Sequence, residues 1–169
     1  MAEVTTALIK ELRETTGAGV MDAKRALDET AGDLKKAAAI IREKGIAAAA
    51  KRSERETSQG VVESYIHGGG RIGVVVELNC ETDFVANTAD FRQLAKDVAM
   101  QIAAMNPKYV SVEERTADDE GSPDAEVALM AQPFIREPGK TIGDLVKDVV
   151  ARTGENVRVR RFARFELGR

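Results

Sequence analysis

Two strand-like runs separated by three consecutive glycines constrain this chain more than any other feature of its sequence. The runs VVESYIH (residues 61–67) and RIGVVVELN (residues 71–79) are rich in β-branched residues. The glycines between them supply a tight turn, because glycine adopts backbone conformations that other residues avoid. The pattern predicts an antiparallel hairpin. The unbroken apolar run Val74–Val76 further predicts a strand that is buried on both faces.

Amphipathic segments before the hairpin predict three short helices. The turn TGAG, residues 16–19, separates the first from a second over about 21–29. Asp33 is a candidate N-cap for the third helix, and Gly45 fits its C-terminal end. Helices of this length form a small core, so we expect this unit to present a surface and not to enclose a cavity.

The chain after the hairpin predicts two longer helices and a third strand. One helix follows Thr88 as N-cap, a second covers about 141–152, and the run ENVRVRRFARFEL ends as a strand whose alternation shifts near Arg160. The predicted fold class is α+β. We expect a three-helix unit at 1–50, a linker or helical extension at 51–59, and an α+β core at 60–169 with a small antiparallel sheet and packed helices.

The amino-acid composition indicates which broad class of protein this chain belongs to. Of the 169 residues, 43% are hydrophobic and 31% are charged, which is typical of a soluble globular chain. We find no apolar stretch near the length of a membrane span and no secretory leader. Cys80 is the single cysteine, which excludes an internal disulfide. We therefore expect a cytoplasmic protein without membrane contact.

Catalytic chemistry finds little support in the sequence. His67 and Cys80 are the only histidine and thiol, and a hairpin could bring them together as a nucleophilic pair. A lone cysteine after apolar residues is more often a small buried hydrophobe. The glycines after His67 lack the G-x-S-x-G of an esterase, and TGAGVM lacks the preceding strand of a phosphate-binding loop. We expect no enzyme, cofactor or metal site.

Four arginines near the C-terminus raise a second functional alternative. Arg158, Arg160, Arg161 and Arg164 could line an RNA-binding strand. Their setting offers no clustered aromatic residues for stacking, and the net charge of the chain is −3. A charged strand edge that resists aggregation is the commoner explanation, so nucleic acid is not the favoured partner.

The stretch NCETDFVAN, residues 79–87, places a large ring directly after the most apolar strand. Aromatic residues form only 4% of the chain, so Phe84 either fills the core or faces a partner. From the residues alone, a core role, with Asp83 as a helix cap, is the simpler hypothesis. Burial of a Phe side chain would stabilise the fold by about 1.5–3 kcal/mol.

Two motifs resemble the elongation factor Ts family: KELRETTGAGVMDAKRAL and CETDFVAN. Further matches follow in order along nearly the whole chain, including SYIHGGGRIGVVVELN and GENVRVRRFARFELG. The resemblance implies an N-terminal three-helix unit similar to ubiquitin-associated domains and an α+β dimerisation core. It also implies a guanine-nucleotide exchange factor that binds the translational GTPase elongation factor Tu, promotes GDP release, and binds no nucleotide itself.

The resemblance also assigns roles to residues. It implies that Asp83 and Phe84, within the sequence Thr82–Val85, enter the partner's G domain near its switch II region, where the ring disturbs the magnesium and phosphate site. By their positions in the matched motif, the resemblance implies that four residues of the N-terminal unit dock on the partner: Arg13, Val20, Met21 and Lys24. His67 matches a position that is linked less directly to partner contact.

Three departures from the family are visible. Val20 stands where many members have a second methionine, so this contact is less adaptable. The segment from Glu113 to Met130 is shorter than in other compact members, which insert helices there. Ala163 replaces a cysteine that links two subunits in some short members. A covalent dimer through this position is excluded, and a non-covalent homodimer stays open.

Overall fold

A computed structural model describes residues 4–52 and 54–168, with the side chains of 46–51 left undescribed. The elements in chain order are α1 (Thr6–Thr16), α2 (Val20–Glu29), α3 (Leu34–Arg52), β1 (Gln59–His67), β2 (Ile72–Cys80), α4 (Asp83–Ala86), α5 (Ala89–Met105), α6 (Asp124–Val127), β3 (Pro133–Phe134), β4 (Glu137–Thr141), α7 (Ile142–Thr153) and β5 (Arg158–Glu166). Short 3₁₀ turns lie at 112–114, 117–119 and 129–131. The predicted α+β class is confirmed.

The described chain forms two compact units. One contains the residues up to Glu54 together with Val150–Glu155, and the other contains Arg55–Val149 together with the residues from Asn156 onward. Among the helices that the structure describes, none combines the length and hydrophobicity that crossing a bilayer requires.

The first unit is built on α1, α2 and the start of α3, and these are the three helices that the sequence predicted before the hairpin. Its buried residues are Leu12, Ala23, Ala26, Leu27 and Ala37. Small alanines at three of these positions let the helices approach closely. Gly17 ends α1 in the left-handed conformation at φ 71° and donates its N–H to the Arg13 carbonyl, which is the usual way a glycine closes a helix.

The predicted end of α3 at Gly45 is wrong, because the helix continues to Arg52. Asp33 does cap its start, and its Oδ1 accepts the Lys36 N–H at 3.0 Å. Glycine inside a helix costs about 1 kcal/mol relative to alanine. The four alanines at 47–50 have the highest helix propensity of any residue, which offsets this cost. The segment 51–59 therefore begins inside a helix and ends at the start of β1.

A three-stranded antiparallel sheet with the order β1-β2-β5 forms the centre of the second unit. Gly68, Gly69 and Gly70 all have positive φ in the turn that joins β1 to β2, so the predicted hairpin is confirmed. On β5 the pairing skips Arg160, because Glu77 pairs with Arg161 and Leu78 pairs with Val159. This bulge is the shift that the sequence predicted.

The prediction that Val74–Val76 is buried on both faces is wrong. Val74 and Val76 are 1% and 0% exposed, whereas Val75 is 44% exposed. Alternate side chains of a strand point to opposite faces, and α5 packs against β1 and β2. Val62 and Ile66 of β1 lie on the same face as Val75 and are also exposed, so β2 is buried on one side.

A small hairpin of β3 and β4 was not predicted. It pairs Pro133 with Thr141 and Phe134 with Glu137. Buried Gln101 of α5 fixes the hairpin, donating to the Pro133 carbonyl at 3.1 Å and accepting the Ile135 N–H at 3.0 Å. This side chain replaces ladder bonds that so short a hairpin lacks.

Candidate functional site

The segment between β2 and α5, residues 81–88, is here called the Phe84 turn. Within it Asp83–Ala86 form the single helical turn α4, and Thr82 is its N-cap with extended backbone angles. Thr82 Oγ1 accepts the Val85 N–H at 3.4 Å. Thr88 caps α5 by accepting the Phe91 N–H at 3.3 Å, and its hydroxyl donates to the Val85 carbonyl at 2.8 Å. Two threonine caps thus hold both ends of α4.

Neighbouring residues of α4 have opposite environments. Val85 and Ala86 are 8% and 5% exposed, and Phe84 is 81% exposed. Side chains advance about 100° per residue in a helix, so burial of Val85 and Ala86 turns Phe84 outward. The hypothesis that Phe84 fills the core is therefore wrong, and Thr82 is the helix cap in place of Asp83.

Polar side chains fix the far end of the Phe84 turn. Asn87 Nδ2 donates to the Asp83 carbonyl at 2.9 Å, and Arg92 donates to Asn87 Oδ1 at 3.2 Å. The Asn87 N–H also donates to the Asp83 carbonyl at 3.1 Å. These bonds restrict the backbone of Asp83, so the ring that follows it is presented from an ordered segment.

The near end of the Phe84 turn is fixed by Cys80 and by Glu81, of which the sequence analysis had singled out only Cys80. The buried Cys80 Sγ donates to the Thr82 carbonyl at 3.1 Å. Glu81 Oε1 accepts the Asn156 N–H at 2.6 Å, far along the chain. No local pattern marks Glu81, because its partner is distant in sequence. The side chains of Asn87 and Arg92 could have been noticed only as polar residues flanking the motif.

The four docking residues lie in the first unit, and all four are exposed. Val20 and Met21 are 49% and 59% exposed. Val20, Met21 and Lys24 share one side of α2, since residues three and four apart are neighbours on a helix. Arg13 Nε donates to the Ala18 carbonyl at 3.2 Å, which brings its guanidinium to the start of α2.

His67 lies at the exposed end of β1. Its ring stacks on Tyr65 with centroids 5.9 Å apart, and its Nδ1 lies 3.1 Å from the Tyr65 hydroxyl. Cys80 pairs with Gln59 and His67 pairs with Ile72, so the two lie at opposite ends of the hairpin, roughly 26 Å apart at 3.3 Å per residue. A nucleophilic pair of His67 and Cys80 is therefore excluded.

Three of the four arginines of β5 contact acceptors of the protein itself. Arg161 donates to Glu77 Oε2 at 2.7 Å, and this hydrogen bond holds the pKa of the Glu77 carboxyl below its ordinary value. Arg160 lies 3.8 Å from the same carboxylate. Arg164 donates to the Ala103 carbonyl at the end of α5 and to Glu166. These contacts match the expected charged strand edge more closely than an RNA-binding face.

Comparison with known proteins identifies the family. A family model described as Elongation factor TS matches residues 2–119. The chain is 50% identical over 197 residues to elongation factor Ts of Desulforamulus reducens, covering 99% of the chain and 91% of the relative. It is also 50% identical over 194 residues to elongation factor Ts of Heliobacterium modesticaldum and of Carboxydothermus hydrogenoformans, covering 98% of the chain and 90% and 89% of these relatives.

The alignment with the Desulforamulus relative is longer than the 169-residue chain, so that relative carries residues that this chain lacks. The order of helices, hairpin and Phe84 turn follows the motifs that first indicated the resemblance. The chain therefore belongs to the elongation factor Ts family.

Proposed function

We propose that this chain is a guanine-nucleotide exchange factor for the translational GTPase elongation factor Tu, and that it acts through Asp83 and Phe84. The observation that carries the proposal is the 81% exposure of Phe84 on a turn that is hydrogen-bonded at both ends. A large exposed ring on an ordered backbone offers apolar area that a partner surface can bury with a gain in binding energy. Family membership names the partner.

The mechanism needs no bond making by this chain. An exchange factor binds more tightly to the partner conformation that holds nucleotide poorly. The coupling is reciprocal, so bound nucleotide weakens the factor by the same amount that the factor weakens nucleotide. Phe84 would insert into the partner's G domain near switch II, with Asp83 beside it, and displace the elements that hold the partner's magnesium and phosphates.

The exposed side of α2 is the proposed second contact with the same partner. Val20 and Met21 present apolar surface, and Lys24 and Arg13 add positive charge next to it. Apolar anchors rimmed by charge are typical of protein interfaces. His67 is proposed as a minor contact from the end of the β1–β2 hairpin.

Release of a fluorescent GDP analogue from elongation factor Tu, followed by stopped flow, tests the function. We expect the chain to accelerate release and to bind no GDP itself. The control replaces elongation factor Tu with an unrelated GTPase, on which no acceleration is expected. Equal release rates with and without the chain would refute the proposed function. An RNA-binding module would instead bind RNA with an affinity that falls steeply with salt and depends on Arg158.

The outer face of the sheet supports the non-covalent homodimer that the resemblance left open. Val62, Ile66 and Phe165 are 66%, 65% and 71% exposed on this face, and Ala163 pairs with Val75 at its centre. An exposed apolar patch on one face of a sheet can pack against the same patch of a second copy.

We expect sedimentation velocity to show self-association that Phe165→Asp abolishes. Phe84→Asp is the matched control, because it places the same charge on an exposed Phe away from the sheet. A wild-type chain that stays monomeric at all concentrations would refute the homodimer, as would equal effects of the two variants.

A further inference from the structure

Three residues that are distant in sequence meet at the base of the Phe84 turn. Glu81 Oε1 accepts the Asn156 N–H at 2.6 Å and lies 3.5 Å from the Arg55 guanidinium. Asn156 Nδ2 donates to the Arg55 carbonyl at 2.9 Å. We call this set of contacts among Arg55, Glu81 and Asn156 the Glu81 clasp. It joins the segment before β1, the end of β2 and the segment before β5.

The Glu81 clasp binds main chain, and not only side chains. A carboxylate that accepts a backbone N–H makes a charge-assisted bond, which is stronger than a neutral one. The Glu81 side chain is 22% exposed and Asn156 is 6% exposed, so water competes only weakly for these bonds. The backbone of Asn156 is thereby held to the carboxylate of Glu81, and the backbone of Arg55 is held to the side-chain amide of Asn156.

The position of the Glu81 clasp gives it a specific role. The ladder of β1 with β2 ends at Gln59 and Cys80, and the ladder of β2 with β5 ends at Asn79 and Arg158. Glu81 is the first residue beyond both ladders, and Thr82, the N-cap of α4, comes next. The sheet itself therefore does not fix the residue from which the Phe84 turn departs.

We propose that Glu81 is a positioning residue for nucleotide exchange, which acts by holding the start of the Phe84 turn so that Phe84 is presented in one orientation. The inference rests on the proposed function, because it assigns a source of order to the segment that carries the ring. Its key contact is the hydrogen bond to the Asn156 N–H. The Arg55 guanidinium, which is more distant and largely exposed, contributes less.

Two substitutions separate the effect of the hydrogen bond to the Asn156 N–H from the effect of the negative charge on Glu81. Glu81→Ala removes both, whereas Glu81→Gln keeps an oxygen that can accept the Asn156 N–H. The matched control is Asp97→Ala, since Asp97 forms an ion pair with Arg136 at the same 3.5 Å and is similarly sheltered at 15% exposure. Asp97 lies on α5 away from the Phe84 turn.

The first measurement is hydrogen–deuterium exchange of the full chain. The amides of Ala86 and Asn87, which donate to the carbonyls of Thr82 and Asp83, report order in the Phe84 turn. We expect Glu81→Ala to speed their exchange about tenfold or more, as loss of a hydrogen bond to a charged acceptor implies. Amides in the middle of β2 are expected to stay unchanged.

The second measurement is stopped-flow GDP release at saturating factor. We expect Glu81→Ala to lower the maximal rate about tenfold, Glu81→Gln to stay within threefold of wild type, and Asp97→Ala to match wild type. Three outcomes would each overturn the inference. The first is an equal loss of maximal release rate in Glu81→Ala and Glu81→Gln, and the second is an equal loss in Glu81→Ala and Asp97→Ala. The third is amide exchange in Glu81→Ala that is unchanged from wild type. If Glu81→Ala does not fold, the Gln variant decides by the same limits. A wild-type chain that fails to release GDP would instead overturn the proposed function, and amide exchange would still decide whether Glu81 orders the Phe84 turn.

Discussion

Removal of the Phe84 ring is the most direct perturbation of the proposed mechanism. At 81% exposure, about 160 Å² of a side chain of roughly 200 Å² is open to a partner. At about 25 cal/mol per Å², full burial would contribute about 4 kcal/mol. The methyl group that alanine retains and the ordering of the interface reduce the difference to about 2–3 kcal/mol. Phe84→Ala should therefore slow GDP release roughly 30- to 150-fold.

We expect Phe84→Ala to leave the stability of the fold nearly unchanged. Substitutions of exposed residues without special contacts usually alter stability by no more than about 0.5 kcal/mol, so the melting temperature should stay within a few degrees. Phe165→Ala is the matched control, because this ring is also largely exposed, at 71%, but lies on β5. We expect Phe165→Ala to keep exchange within threefold of wild type when measured at matched oligomeric state.

Two outcomes would refute this reasoning about Phe84. Exchange by Phe84→Ala at the wild-type rate would show that the ring does not act on the partner. A loss of several kcal/mol in the free energy of unfolding would show that the ring braces its own fold in solution, which its exposure argues against. Equal slowing by Phe165→Ala would show a general need for apolar surface and not a specific role of the Phe84 turn.

Three further predictions concern other parts of the molecule. The double variant Val20→Ala, Met21→Ala should weaken binding to nucleotide-free elongation factor Tu about tenfold, measured by calorimetry, and should also lower the maximal exchange rate, because this contact is expected to favour the same partner conformation as Phe84. Thr82→Ala removes the cap of α4 and should cost about 1 kcal/mol, seen as faster deuterium exchange at the Val85 amide. The hydrogen bond from Lys108 holds the pKa of the Asp119 carboxyl below its ordinary value. The resulting stability is present above about pH 4 and is lost as pH falls through the depressed pKa, so Asp119→Asn should lower the melting temperature at neutral pH and match wild type in strong acid.

For each of these three predictions, one experimental outcome would contradict the reasoning. Undiminished affinity of the double variant would remove the exposed side of α2 from the interface. An unchanged Val85 amide in Thr82→Ala would show that the Phe84 turn is ordered without its cap. A stability difference between Asp119→Asn and wild type that persists at low pH would show that packing, and not charge, is lost.

Short-range patterns in the sequence were sufficient to predict most of the helices and strands. Thr88 and Asp33 cap the helices that they were expected to cap, because a side-chain oxygen next to a helical pattern is a short-range cue. The bulge at Arg160 was visible as a shift in the alternation of β5, since each strand face records its own register. Such features depend on residues within a few positions of each other.

Features that depend on the rest of the fold were missed. The exposure of Val75 follows from which face of the sheet a helix covers, and a run of valines does not encode that. The continuation of α3 past Gly45 shows that a local stop signal yields to a strong helical run after it. The β3–β4 hairpin had a weak cue in Pro138–Gly139, but its support comes from Gln101, more than thirty residues away.

The candidate site likewise has one part that the sequence indicated and another that depends on distant residues. Exposure of Phe84 could not be settled from the residues alone, and the family resemblance was needed to expect it. The Glu81 clasp joins residues 55, 81 and 156, which no window of sequence brings together. The motif thus marks the proposed partner contact, and contacts with distant residues hold the segment that carries it.

The energetics of exchange explain why the proposed mechanism needs both an ordered turn and a second contact. A thousandfold loss of nucleotide affinity needs about 4 kcal/mol of coupling, and the Phe84 ring supplies about 2–3 kcal/mol by the area argument above. If the Phe84 turn were mobile, ordering each immobilised side chain would cost about 0.5–1.5 kcal/mol and consume much of that gain. The caps at Thr82 and Thr88 and the Glu81 clasp avoid this cost before binding occurs. The remaining coupling must come from contacts that favour the same partner conformation, for which the exposed side of α2 is the available apolar surface in the first unit.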